Sequence, residues 1–419
     1  MGTAREPSAV SRASVRRLPA PADFAPPPTA RRLRAWEEAD RAARPARLGR
    51  LRARLAAEGI DAYLGLRREE IRYLAGLVLG EGEEKVAGHS GRFLVTADEV
   101  VVLADSRYTL QARREAPGAR VEDVTYDLPA RWPSLLASIG ARRVAVPAGD
   151  IPHALWEALR GAAPDVELVP AGPWIDEDRA VKEPAEVERI AAAAAVADRA
   201  LAALLPEIHP GVAEAALAWR LEVLMREGGA EALAFDVAVL AGPRAALPHG
   251  SPGPRPVRAG RVLLFDFGAQ VAGYRSDMTR TLFVGAPRDR DLAVYELVAR
   301  AQEAAIALLE RALPAGGPLP SGRAVDGAAR DLIAAAGHGD HFGHGTGHGI
   351  GLATHERPSL SRAAADDPLP SPTVFSVEPG VYLAGRTGVR IEDLVLLDAA
   401  GGRVERLTCF PREPLVLSA

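Results

Sequence analysis

A chain of 419 residues, 48% apolar and 25% charged, has room for two domains with separate cores and the balance of a globular protein. A net charge of −4 gives no electrostatic reason to expect nucleic acid or an anionic membrane as partner. No apolar run reaches the length of a membrane span, and the single cysteine, Cys409, excludes an internal disulfide and fits a reducing, cytoplasmic setting.

Residues 1–46 hold nine Arg and seven Pro against five acids and lack the apolar stretch of a secretory signal. They read as a flexible amino-terminal extension, with a helix starting near Thr29. Residues 47–173 then alternate between helical and strand-like segments. Helical spacing covers 48–59 and stops at Gly59. Strand-like runs follow at 62–66, 92–95 and 100–104, then helices over 132–139 and 154–161 with a strand over 143–146 between them. This alternation argues for a mixed sheet flanked by helices.

Gly172-Pro173 interrupts the pattern, a charged stretch runs to Lys182, and a second domain is expected over 185–419. Pro184, with Glu186 and Glu188 in the first turn, starts an Ala-rich helix that reaches about residue 205. Further helices are expected over 212–227, 292–312 and 325–336.

Between and after these helices lie two strand pairs that carry acids. Residues 262–265 and 279–284 are strand-like, with Gly268 and Gly273 around a turn. A hairpin symmetric about Val271-Ala272 puts Asp266 directly opposite Asp277 on one face, with Cβ atoms about 5 Å apart. Two like charges so placed destabilise a sheet unless a cation lies between them. Residues 373–377 and 389–397 repeat the pattern around Gly385. They place Glu378 opposite Glu392, with Pro379 disturbing the ladder locally. The two hairpins can then build one nest of four carboxylates. The competing reading is that Arg275, Arg280 and Arg390 neutralise these acids as buried ion pairs.

Five of the nine histidines fall between His338 and His355, in a glycine-rich stretch whose backbone can turn tightly and approach a ligand closely. Beside the acid pairs, this clustering favours a site. Four carboxylates and an imidazole form a hard, oxygen-rich donor set suited to Mn²⁺, with Co²⁺ or Zn²⁺ as substitutes. Four acids exceed what one ion needs, whereas two ions about 3.5–4 Å apart can share bridging acids.

These residues resemble the pita-bread metallopeptidases: methionine aminopeptidase, aminopeptidase P and prolidase. The likeness is carried by Phe265-Asp266-Phe267-Gly268, Ser276-Asp277-Met278-Thr279-Arg280-Thr281, Gly343-His344-Gly345-Thr346-Gly347-His348, His355-Glu356, Val377-Glu378-Pro379-Gly380 and Gly388-Val389-Arg390-Ile391-Glu392-Asp393, in that order. The first domain is similar to the amino-terminal domain of aminopeptidase P, prolidase and creatinase through Ile71-Arg72-Tyr73-Leu74-Ala75-Gly76 and Asp105-Ser106-Arg107-Tyr108.

The resemblance implies an α+β fold, a pita-bread catalytic domain with a curved antiparallel sheet preceded by a smaller α/β creatinase-like domain. It implies two divalent metal ions bridged by Asp277 and Glu392. Asp266 would complete one ion's shell, and His348 and Glu378 the other's. It also implies catalytic roles for His249 on the substrate side, His355 beside the tetrahedral intermediate, His344 in the pocket and Glu378 as proton carrier. Arg390 resembles a partner of the bridging acids. Arg244 departs from the pattern, since many relatives carry Asn ahead of the Pro-His pair.

The implied substrate is a peptide with proline at the second position, and the implied assembly is a homo-oligomer, dimer or tetramer. The run over 105–111 resembles aminopeptidase P more than prolidase. The expected reaction is therefore hydrolysis of the Xaa-Pro bond at the amino terminus of peptides, with Xaa-Pro dipeptidase as the alternative. A creatinase-like amidinohydrolase and a metal-free binding protein on the same fold are further alternatives. Both are disfavoured, because such proteins lose metal ligands and this chain keeps all five.

Overall fold

The computed structural model describes residues 17–80, 90–124, 127–313 and 317–419. They fall into two compact units, Thr29–Val181 on the one hand and residues 17–28 with Lys182–Ala419 on the other.

The first unit opens with helix α1 (Ala30–Glu58). The Thr29 hydroxyl caps it by accepting from Arg32 N at 3.3 Å, and Gly59, at φ 62°, ends it in the left-handed conformation. The helix starts well before the periodicity at Leu48 because the part ahead of Leu48 buries only Trp36 and Arg47, so no apolar stripe marks it. The buried Arg47 guanidinium lies 4.2 Å from the Tyr73 ring and donates to Tyr73 O and Asp40.

Six strands follow: β1 (Ala62–Gly65), β2 (Phe93–Thr96), β3 (Val100–Ala104), β4 (Arg120–Asp123), β5 (Arg143–Pro147) and β6 (Glu167–Ala171). They form one sheet in the order β4-β3-β2-β1-β5-β6, antiparallel at β1–β2 and parallel at β1–β5, which is the expected mixed sheet. Its helices are α2 (Arg68–Leu74), α3 (Thr109–Glu115), α4 (Leu128–Ile139), α5 (His153–Ala162) and α6 (Trp174–Ala180). Helices α2, α3 and α6 have seven residues each, too few for a periodic signal. Leu64, Leu94, Val101 and Val146 share a core with Trp132 and Leu136 of α4.

The second unit begins its main run with α7 (Pro184–Leu204), started by Pro184 and a capping box of Glu183 and Glu186, and continues into α8 (Glu214–Glu227). Next come β7 (Ala232–Leu233), β8 (Ala238–Ala241), β9 (Arg261–Phe267), β10 (Ala269–Val271), β11 (Tyr274–Arg275) and β12 (Met278–Val284). Helices α9 (Asp289–Ala312) and α10 (Gly322–Ala335) precede β13 (Gly347–Gly349), β14 (Glu356–Leu360), β15 (Thr373–Val377), β16 (Gly380–Leu383), β17 (Thr387–Arg390), β18 (Asp393–Asp398), β19 (Arg403–Arg406) and β20 (Val416–Leu417). One sheet runs β20-β12-β9-β8, another β14-β13-β15-β18-β19, and β16 pairs with β17 as a hairpin. Only β12–β20 is parallel in these three sheets. Val298, Ala301 and Ala305 of α9 share one core with Leu264, Phe375 and Val395 of the sheets.

Residues 17–28 also belong to this unit. The Phe24 ring stacks on Phe410 with centroids 6.1 Å apart, and Arg199 Nη1 donates to Pro21 O at 2.8 Å. Within 1–46 the helix expected near Thr29 runs from Ala30, whereas residues 17–28, expected to be flexible, are packed, and residues 1–16 lie outside the described residues. No helix among the described residues is long and apolar enough to cross a membrane.

Candidate active site

Asp266 lies on β9 and Asp277 just ahead of β12. The expected hairpin would put them face to face, but Asp266 faces Thr279. The turn falls on Ala272-Gly273, at φ 48° and 85°, with Val271 paired to Tyr274. Positive φ at both central residues is the two-residue turn that suits the strand twist, and here the first position is a non-glycine. The register therefore slips by two. A slip of two keeps side chains on the same face, so Asp277 remains a diagonal neighbour of Asp266 rather than swinging away.

The second hairpin has the expected register. Val377 pairs with Asp393 and Gly380 with Arg390, which brackets Glu378 and Glu392 opposite each other. The ladder parts at Pro379, which has no N–H to give it. Backbone bonds fasten the pieces together. Glu392 N donates to Thr279 O at 3.1 Å, and Glu378 N donates to Thr346 O at 2.7 Å.

His348 sits at the centre of β13, a short strand rather than a turn. Its flanking glycines answer to packing between strands. A Cβ on Gly347 would lie 1.8 Å from Ser376 O, and one on Gly349 would lie 2.0 Å from Arg357 O. His348 Nε2 points at Glu378 Oε1, 3.3 Å away, and at Asp277 Oδ2, 3.6 Å away. Its Nδ1 meets Gly349 O at 3.0 Å, and burial lowers its pKa and favours neutral imidazole.

Donor atoms of Asp277, His348 and Glu392 all lie within 4.8 Å of one another. Asp277 Oδ1 and Glu392 Oε1 are buried without a hydrogen-bond donor. Burial raises the pKa of both carboxyls well above the usual range, and the neighbouring acids push the same way: Glu392, Asp266 and Glu378 on Asp277, and Glu378 and Asp266 on Glu392. Such a cluster can carry its full negative charge at neutral pH only with positive charge beside it. The orphaned oxygens and the single imidazole fit a divalent cation.

Part of that charge is on the protein. Arg390 Nη2 pairs with Asp266 Oδ2, its Nε donates to Thr279 Oγ1 at 2.8 Å, and its Nη1 donates to Tyr382 OH at 3.1 Å. The ion-pair reading thus holds for Asp266. Arg280 instead binds Asp393 at 2.6 Å and the carbonyls of Glu392 and Phe410, while Arg275 donates to Ala234 O and Thr354 Oγ1.

Three further histidines, His249, His344 and His355, lie around this nest. The His355 ring is exposed and 4.1 Å from that of His348. His344 Nε2 meets Tyr382 OH at 2.8 Å. His249 is exposed on the loop after β8, next to Pro248, whose carbonyl accepts from Arg390 at 3.4 Å. The unusual Arg244 anchors that loop. Its Nε donates to both oxygens of buried Glu214, at 3.2 and 3.0 Å, and Glu214 also accepts from Ala241 N and Gly253 N. His338 and His341, on the turn that follows α10, lie with ring centroids 5.8 Å apart and tilted to each other, and neither contacts the acids of the nest.

Sequence reasoning misses the hydroxyls that aim the acids. Thr279 Oγ1 donates to Glu392 Oε2 at 2.7 Å, and Ser376 Oγ donates to Glu378 Oε1 at 3.0 Å while accepting from His348 N. Only their positions hint at this, Ser376 two residues before Glu378 on one strand face and Thr279 two after Asp277. Asp326 and Arg330 are missed too. Asp326 accepts from Thr346 N and Oγ1, and Arg330 from the next turn of α10 donates to Phe342 O and His344 O, fixing the loop into β13.

A buried cluster of acids and one imidazole at the end of two hairpins is the site of a metal-dependent hydrolase. Residues 188–399 match metallopeptidase family M24, and residues 47–181 match the creatinase/prolidase N-terminal domain. The chain belongs to metallopeptidase family M24, with a creatinase-like domain ahead of the pita-bread catalytic domain, and its chemistry is metal-dependent hydrolysis of peptide bonds. It is 39% identical over 237 residues to an Xaa-Pro dipeptidase of Pyrococcus furiosus, covering 57% of this chain and 65% of that one. Its fold is similar to that of an Xaa-Pro dipeptidase from Bacillus anthracis, with a TM-score of 0.79 and 32% identity, covering 89% of this chain and 99% of that one. It is likewise similar to an X-Pro aminopeptidase from Thermotoga maritima, with a TM-score of 0.75 and 33% identity, covering 88% and 100%.

Proposed function

We propose that the protein is an Xaa-Pro dipeptidase that works with two divalent ions, Mn²⁺ by preference. The observation that carries the metal part is the meeting of Asp277, His348 and Glu392 donors within 4.8 Å around buried oxygens that have no other partner. Asp277 and Glu392 would bridge the ions, Asp266 would complete one shell, and His348 and Glu378 the other. Ions held there would activate a water and polarise the scissile carbonyl.

The protein's own groups supply the rest. Glu378, 3.3 Å from His348 and steadied by Ser376, would take a proton from the attacking water and deliver it to the departing proline nitrogen. His249 and His355, exposed at the rim, would donate to the oxyanion, and His344, tethered to Tyr382, would line the pocket. Arg390 would hold Asp266 and, through Thr279, the orientation of Glu392.

The dipeptidase reading draws on the relatives of that name. The aminopeptidase reading keeps one support, the full-length likeness to the Thermotoga maritima enzyme. The run over 105–111 does not favour it further. Asp105 accepts from Arg107 N and its guanidinium, and Gln111 donates to Val78 O, so these side chains build a local turn. A dipeptidase must grip a free carboxylate just after proline. The test is the rate on an Xaa-Pro dipeptide against the matching Xaa-Pro-Xaa tripeptide, with Mn²⁺ supplied. Fast cleavage of the dipeptide and little of the tripeptide is expected, and the reverse ratio makes the enzyme an aminopeptidase.

A further inference from the structure

The β16–β17 hairpin has two faces. Tyr382 and Arg390 turn one face to the metal nest. Leu383 and Thr387, paired across the hairpin, turn the other way and line a cavity of about 380 Å³. That volume is within the range of small-molecule sites. Alternation along each strand places the cavity behind the hairpin, apart from the catalytic histidines and acids.

Its floor is apolar, from Val294 and Leu297 of α9 and Leu383. Its polar lining is made of Arg290, Arg300, Arg386, Thr387 and His338, with no carboxylate among the lining residues. Arg290 has Asp291 3.6 Å away, but neither Arg300 nor Arg386 has a side-chain partner among the described residues. Thr387 is 1% exposed, and its hydroxyl has no hydrogen-bond partner; neither does the buried Nδ1 of His338. A buried hydroxyl left without a partner is destabilising unless a ligand supplies one. Two guanidiniums without matching acids, Arg300 and Arg386, beside an unpartnered hydroxyl and an apolar floor, call for an anion with an apolar body.

We propose that this cavity is a second binding site, for a small organic oxyanion. The head, a carboxylate or a phosphate, is held by Arg386 and Arg300, whose forks match either group, and by the Thr387 hydroxyl. A short apolar chain lies on Val294, Leu297 and Leu383.

The test uses full-length, metal-loaded protein and two probes, hexanoate and hexyl phosphate, with hexanol as neutral control. Calorimetric titration at constant ionic strength compares wild type with the Arg300→Ala/Arg386→Ala double variant and with Thr387→Val. Any binding of the probes at the metal centre is common to all three and cancels. The double variant is expected to lose at least about tenfold in affinity for whichever probe wild type binds, and Thr387→Val a smaller factor. The tighter probe names the head group. Both arginines are exposed, so peptidase turnover of the double variant should stay at the wild-type value and report an intact fold. Equal probe affinity in wild type and double variant, or hexanol binding as tightly as hexanoate, overturns the site.

Discussion

Asp277 and Glu392 each leave a buried oxygen without a donor, while Asp266 has Arg390. That asymmetry separates the consequences of single changes. Asp277→Asn removes a charge that no guanidinium replaces and should abolish both activity and tight metal binding. His355→Ala removes an exposed ring with no hydrogen bond to the acids among the described residues, and should lower kcat about 10²–10³-fold while bound metal, counted by elemental analysis, stays at the wild-type level. Loss of metal from His355→Ala would mean that this ring is a ligand. Exhaustive chelation should stop turnover and Mn²⁺ should restore it, and full activity of demonstrably metal-free protein would sink the metal mechanism.

A carboxylate outside the five candidate metal ligands is perturbed as well. Asp198 on α7 accepts from Cys409 N at 2.8 Å and Phe410 N at 3.0 Å, and burial pushes its pKa up to about 6 against those bonds, with Arg280 lowering it and Asp393 raising it. A raised carboxyl pKa means that the folded state holds the proton more tightly than the unfolded one. Its contribution to stability is therefore full below about pH 4 and is lost as pH rises through about 6, a change on the order of 3 kcal/mol. Asp198→Asn cannot titrate. Its melting temperature should fall further behind wild type at pH 4.5 than at pH 7.5, and a gap that is constant with pH would show that Asp198 keeps an ordinary pKa.

At the scale of elements, strand β13 carries the imidazole and has neighbours on both sides. With Ser376 O where a Cβ on Gly347 would go, Gly347→Ala must push β13 and β15 apart. The expected cost is about 3 kcal/mol of stability, together with weaker metal binding as His348 leaves Glu378 and Asp277. Denaturant titration and metal analysis of the same variant check both. A variant with wild-type stability would mean that the strand has slack.

The two hairpins also show what a sequence can and cannot reveal. Glu378 and Glu392 were legible as partners because the turn about Gly385 is symmetric and Pro379 marks where the ladder must open. The other register was two residues off because Ala272 adopts the positive φ usually left to glycine or asparagine, which no propensity foretells. The acids survived that error because a slip of two preserves the face. The glycines beside His348 suggested turns, whereas neighbouring strands demand them. Thr279, Ser376 and Tyr382 were silent, since hydroxyl residues are ordinary in strands and nothing in their spacing names the carboxylate or imidazole they hold.

On the scale of the whole molecule, the amino-terminal stretch is not idle. Removing residues 17–28, with whatever precedes them, takes away the Phe24–Phe410 stack and the Arg199 bonds to Pro21 and Phe24 carbonyls. About 1–2 kcal/mol should go with them, a fall of a few degrees in melting temperature, with turnover retained. An unchanged melting temperature would mean that these contacts contribute nothing in solution.

The composition of the second unit carries a consequence for how the molecule is made. The Thr29–Val181 unit is continuous in sequence and can close as soon as it leaves the ribosome. Residues 17–28 emerge before it, can meet Arg199 once α7 is made, and complete their packing only when Phe410 exists. Strand β12, next to Asp277, likewise waits for Val416 and Leu417 to cover its edge. Until then β12, although paired with β9, presents one open edge. A chain stopped short of residue 409 would hold every candidate ligand yet lack the Phe410 carbonyl that Arg280 binds and the Cys409 and Phe410 N–H groups that Asp198 binds.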